Sequence, residues 1–142
     1  MKEQVGNKLS PHSASRGKLA GVKVFAPATV ANLVCGFDVL GMALHRPQDL
    51  MSVRLRDQPG IVIQHTDGYQ LPVEPEKNVA GAALLAMLEE VTDAPGFDIT
   101  IDKRIKPGSG LGSSAASSAG VVVAANHLLG NIFPMKTSCG LP

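Results

Sequence analysis

Between Pro107 and Ala116 the chain reads Pro-Gly-Ser-Gly-Leu-Gly-Ser-Ser-Ala-Ala, placing glycines at 108, 110 and 112 and serines at 109, 113 and 114. Behind it, Ser117 to Leu129 is rich in Ala, Val and Leu and is closed by Gly130, which predicts a helix with the turn at its mouth. The chemistry open to such a turn is anion binding. Glycines admit the left-handed backbone angles of a nest and let a ligand approach closely, while N–H groups, hydroxyls and the helix dipole supply donors and positive potential. The spacing is not the GxxxxGK[ST] of a P-loop, because no Lys precedes Ser113, and not GxGxxG, because Ser113 stands where the third Gly would be. A plain strand-to-helix turn with capping serines would use the same residues.

Asn32 and Asp38 flank Gly36 in a loop of small and polar residues. Such side chains bond their own backbone in many loops, yet an amide and a carboxylate at a cleft also suit an ammonium group and a hydroxyl. Lys103, Arg104 and Lys106 precede the glycine-rich turn, and a short basic run at a strand end reads chiefly as a solvated face. His12, His45, His65 and His127 show no metal-ligand spacing and no Ser/His/Asp set, so they read as structural or surface residues. Cys35 and Cys139 stand far apart without a CxxC or Cys/His companion, which predicts inert thiols in a reducing compartment.

The elements that must position these groups follow from periodicity. Val22–Ala26 reads as a strand ended by Pro27. Met51, Val53 and Leu55 alternate with polar residues, Asp-Gln-Pro-Gly follows at 57–60, and Ile61–His65 resumes, which predicts a hairpin. Ala80, Leu84, Leu88 and Val91 share one face of a helix over Asn78–Thr92, with Asn78 as N-cap. Phe97, Ile99 and Ile101 alternate in a last strand. Strands, helix, strand, helix give an α+β fold, a mixed sheet with helices on one side.

With 142 residues, 44% of them hydrophobic and 18% charged, the chain suits one globular domain. Aromatics are few, at four Phe, one Tyr and no Trp, and the net charge is +1, so neither nucleic acid nor an anionic membrane is expected as partner. No apolar run resembles a signal peptide or a membrane span, and a cytoplasmic protein is expected.

Residues Pro107–Ala116, together with Val24–Gly41 and Glu76–Gly81, resemble the GHMP small-molecule kinases, and among them the homoserine kinase family, in the same order along the chain. The resemblance covers Val22 to Gly130. It implies an amino-terminal α+β domain whose loop wraps the phosphates of ATP, and transfer of the γ-phosphoryl group to the hydroxyl of L-homoserine in threonine biosynthesis. Carried over, it assigns Pro107, Gly108, Ser109, Gly110, Leu111, Gly112, Ser113 and Ser114 to the triphosphate, Ser114 to Mg²⁺, and Asn78 with Val79 to the adenine. Asn32 and Asp38 fall to the amino-acid substrate, Asp38 in substrate positioning first.

Homoserine kinases continue through a second domain carrying an acidic Mg²⁺ ligand, and that domain is absent here. The expected organisation is therefore a flexible leader over 1–21, an ATP-binding domain over 22–130 and an atypical tail over 131–142 of a truncated chain, inactive alone and prone to association, including as a homodimer. The alternatives are another GHMP kinase, or a noncatalytic α+β binding domain such as an RNA-binding module.

Overall fold

A computed structural model describes residues 21–33 and 39–134. The expected leader, up to residue 20, and the tail beyond residue 134 lie outside them. Six elements follow in order: β1 (Gly21–Ala31), β2 (Gly41–Arg56), β3 (Ile61–His65), α1 (Val79–Leu88), β4 (Gly96–Asp102) and α2 (Ser113–Leu128). The strands form one mixed sheet in the order β1-β2-β4-β3, with β1/β2 and β2/β4 antiparallel and β3/β4 parallel.

The expected hairpin between Met51–Arg56 and Ile61–His65 is not formed, because β4 lies between its two arms. Two strand spacings amount to about 10 Å, within reach of a four-residue connection, so a turn over 57–60 can span a third strand as readily as reverse beside its own. Gly60 accepts the Phe97 N–H at 2.9 Å, and a Cβ at Gly96 would run into the Gln58 carbonyl, so the turn passes directly over the start of β4. Once inserted, β4 satisfies backbone groups on both sides and brings Phe97, Ile99 and Ile101 to the middle of the sheet.

Pro27 does not end the first strand either. β1 is an edge strand with a register shift between Pro27 and Thr29, the two settings in which a sheet accepts proline, and it continues to Ala31 as one arm of a long hairpin with β2. Inward-facing Met51, Val53, Phe97, Ile99 and Ile101 pack against Leu84 of α1 and Val121 of α2, all fully buried. Both helices lie on this face. A Cβ at Gly81 in α1 would strike the Pro75 backbone and Ile63, and one at Gly120 in α2 would strike Met51.

Local chemistry sets the helix ends. Asn78 Oδ1 accepts the Ala80 N–H at 3.0 Å and starts α1, which stops at Leu88, four residues before the expected limit. α2 closes on Gly130 in the left-handed region (φ 85). Beyond it, Asn126 exchanges two bonds with the Phe133 backbone, Nδ2 donating at 2.9 Å and Oδ1 accepting at 3.0 Å, which ties residues 131–133 to the helix. Among the described residues no helix is long and apolar enough to cross a membrane.

Candidate functional site

The glycine-rich turn leads from Ile105 to the first residue of α2, and its glycines fall into two kinds. Gly108 and Gly110 have φ near 75°, and a Cβ at either would meet nothing within 4 Å, so their left-handed backbone faces open space. Gly112, the N-cap of α2 with φ 68, is different: a Cβ there would collide with Thr29 Oγ1. The Thr29 N–H also donates to the Leu111 carbonyl at 3.0 Å. Gly112 is thus required by the docking of the turn on β1, whereas 108 and 110 leave room for a ligand.

The serines divide similarly. Ser113 is buried and its hydroxyl donates to the Ile105 carbonyl at 3.1 Å, which leaves its backbone N–H as its contribution to the helix mouth. Ser109 Oγ accepts the Leu111 N–H at 3.4 Å within the turn. Ser114 is exposed in the first helical turn, and no side chain caps α2. Uncapped N–H groups above an open nest can receive an anion.

Beneath the turn lies a buried ion pair that the basic-run reading missed. Lys103 is not on a solvated face: its side chain is 4% exposed and its ammonium donates to Asp49 Oδ2 at 2.7 Å, Ser117 Oγ at 2.8 Å and the Ser113 carbonyl at 2.9 Å. Asp49 Oδ1 accepts the N–H groups of Arg104 and Ile105, both at 2.8 Å. Every proton of the ammonium has an acceptor, and the pair clamps β2, the segment after β4 and the first turn of α2 together. Arg104 and Lys106 are exposed, as expected of the run.

A cavity of about 110 Å³ joins the two motifs assigned to the nucleotide. Its walls include Asn78 and Val79 from the start of α1 and Pro107, Ser113 and Ser114 from the turn, with His65, Lys103 and Ser117 also lining it. It is small beside the roughly 300–1,000 Å³ of ligand pockets, so it would seat one portion of a nucleotide. Gly108, Ser109, Gly110, Leu111 and Gly112 lie outside the cavity lining, along the turn. The Asn78 side chain is occupied as cap and in bonds to the Pro72 carbonyl (2.7 Å) and His65 Nε2 (3.2 Å), and Val79 offers an exposed apolar surface.

Asn32 follows β1 in a left-handed conformation (φ 58), about 10 Å along the strand from Thr29, which supports the turn. Asp38 and Cys35 lie outside the described residues. His65 has Asp67 on one ring nitrogen and Asn78 on the other. Burial pushes the Asp67 carboxyl up, but backbone N–H bonds from Lys103 and Tyr69, with His65 beside it, outweigh that and hold it below the ordinary value. Among the described residues there is no group of three or more His, Cys, Asp or Glu that could hold a metal ion.

Residues 78–138 match the family model described as the GHMP kinases N terminal domain. The homoserine kinase of Methanocella arvoryzae is 48% identical over 107 residues, covering 75% of this chain and 34% of its own length. That of Xanthomonas campestris pv. campestris is 45% identical over 118 residues, covering 82% and 36%. The chain therefore spans about a third of the length of these relatives. Among solved structures, homoserine kinase from Cytophaga hutchinsonii has a TM-score of 0.78 at 45% identity, over 84% of this chain and 38% of that one. Mevalonate kinase from Methanococcus jannaschii, at 18% identity and a TM-score of 0.60, shares the fold alone. Sequence, fold and the turn at the mouth of α2 agree: residues 78–138 match the GHMP kinases N terminal domain, and the described residues have the fold of that domain.

Proposed function

We propose that the complete protein is a cytoplasmic ATP-dependent homoserine kinase of threonine biosynthesis and that this chain supplies much of its nucleotide-binding half. The observation that carries the reading is that the start of α1 and the turn at the start of α2 wall one and the same cavity. The residues suit ATP: Gly108 and Gly110 hold an open left-handed backbone, and the N-terminal N–H groups of α2 stand without a side-chain cap, so the turn would bind the phosphates while Val79 lies against the base. Mg²⁺, when bound with ATP, neutralises charge on the transferring phosphoryl group. Ser114 would give it one oxygen. Lys103, its ammonium held by Asp49, Ser117 and the Ser113 carbonyl, fixes the first turn of α2 from below.

Asn32 and Asp38 would bind the amino-acid substrate by charge-assisted bonds, orienting its hydroxyl. Because the chain spans about a third of its relatives' length, turnover is assigned to the complete protein, and the 142-residue chain alone is expected to bind nucleotide with little or no turnover. An RNA-binding module would read its ligand with basic and aromatic residues of the open sheet face; Lys23, Phe25 and Arg54 are exposed there, but Asp98 stands opposite Arg54 and Thr100 opposite Ser52, and neither of the two described motifs lies on that face. Coupled ADP-release assays with homoserine, mevalonate and galactose test the assignment. Turnover of homoserine by the full-length protein is expected; a preference for either of the others would leave a GHMP kinase with a different substrate.

A further inference from the structure

The connection from β3 to α1 is held by side-chain bonds whose hydrogen positions follow from one another. Asn78 Oδ1 accepts the Ala80 N–H, which fixes the orientation of the amide, and Nδ2 donates to the Pro72 carbonyl and faces His65 Nε2 at 3.2 Å. Facing an amide N–H, Nε2 must offer its lone pair, so the ring proton sits on Nδ1 and points at Asp67 Oδ2, 3.3 Å away. Asp67 accepts the N–H of Lys103 through Oδ2 and that of Tyr69 through Oδ1, both at 2.9 Å. The His65 and Asp67 side chains are 7% and 4% exposed, so water competes little for these bonds. The chain of bonds runs from the end of β4 to the mouth of α1, and His65, Pro72, Asn78 and Val79 all line the cavity.

Resting on the nucleotide reading above, we propose that His65, oriented by Asp67, is a positioning residue: through Asn78 it fixes the Pro72–Val79 wall and so sets affinity for the base-bearing part of the nucleotide, not for its phosphates. The cap bond and the Pro72 bond hold the Asn78 amide from two sides, and the imidazole adds the third restraint, from the sheet. Without it the amide can swing about the cap, and Val79 beside it no longer presents a fixed apolar surface to a planar ring. The phosphate-binding turn has its own supports in Thr29 and the Lys103–Asp49 pair, and it meets the His65 network only at the Lys103 backbone N–H on Asp67.

The test is calorimetric titration of the 142-residue chain with MgATP and with inorganic tripolyphosphate, for the wild type, His65→Leu and His65→Gln. His65→Leu is expected to weaken MgATP about threefold to tenfold, the range of one hydrogen bond, and tripolyphosphate less than about twofold. His65→Gln, whose carbonyl can accept the Asn78 N–H, is expected to recover most of the loss. Equal losses for the two ligands, or unchanged MgATP affinity, overturn the proposal. A wild type that binds neither ligand, or binds tripolyphosphate as well as MgATP, overturns the nucleotide reading and the proposal with it. Should His65→Leu fail to fold, ¹⁵N spectra of the wild-type imidazole serve instead. A protonated Nδ1 and a bare Nε2 whose resonance shifts with MgATP but not with tripolyphosphate are expected, and an Nε2–H tautomer or no such shift overturns it.

Discussion

Thr29 fills the space that a side chain at residue 112 would need: its Oγ1 lies where the Cβ would be, and its N–H holds the neighbouring Leu111 carbonyl at 3.0 Å. The first turn of α2 is therefore seated on β1 before any ligand arrives. Gly112→Val should unseat it, lowering the unfolding temperature as well as nucleotide affinity. Gly110→Ala meets no atom and carries only the left-handed backbone cost of about 1–2 kcal/mol, so its loss of MgATP affinity should exceed its loss of stability. Thermal unfolding beside calorimetric titration separates the two. A Gly112→Val chain with wild-type stability would contradict the packing described.

The Lys103–Asp49 pair should dominate stability changes in this region. Lys103→Met leaves the Asp49 carboxylate buried with two backbone N–H groups and no counter-charge, and should cost about 3–5 kcal/mol. The double variant Asp49→Asn/Lys103→Met should cost less than the sum of the single changes, since neither leaves a charge unpaired. Urea titrations give the numbers, and simple additivity would show the two groups to be uncoupled.

Acid should loosen the wall around Asp67. Its carboxyl is held below the ordinary value of 3.8, so the folded chain binds fewer protons there than the unfolded one. The resulting stability is fully present above the unfolded value and is lost as pH falls through the lowered folded one. Asp67→Asn should flatten the acid limb of a stability-against-pH curve below the unfolded value of 3.8 and leave the neutral region sloping as before. An acid limb identical to that of the wild type would assign the sensitivity to other carboxylates.

Substrate choice is expected to rest on Asn32 and Asp38. In the full-length protein, Asp38→Asn exchanges a charge-assisted bond for a neutral one and should lower kcat/KM for homoserine by about tenfold to a hundredfold, about 1–3 kcal/mol, with little change in the KM for ATP. Asn78→Ala should chiefly raise the KM for ATP. Steady-state kinetics with each substrate varied in turn tests the division, and equal damage to both substrates by Asp38→Asn would refute it.

Features written within a short stretch of chain were legible in the sequence. The glycine and serine spacing at 108–114 announced the turn, Asn78 announced the cap and the 97–101 alternation announced β4, because each depends on neighbours a few residues away. What depended on distant partners was not. Lys103 sits in a run with Arg104 and Lys106 and differs from them only through Asp49, more than fifty residues earlier. Asp49 itself gave a usable signal, a carboxylate inside a strand where Asp is disfavoured, but only once β2 is known to begin at Gly41 and not at Met51. The order of β3 and β4 turned on whether a four-residue connection reverses or spans, and its composition allows both.

The insertion of β4 between β2 and β3 also sets the order in which the domain can assemble during synthesis. The β1/β2 hairpin is local and can close early, but Ile61–His65 has no strand to pair with until Gly96–Asp102 has left the ribosome, and Met51 and Val53 lack their cover until α2 follows. Until α2 has emerged, the chain thus holds an apolar sheet face and an unpaired strand edge in the open, the kind of surface through which partly folded chains associate.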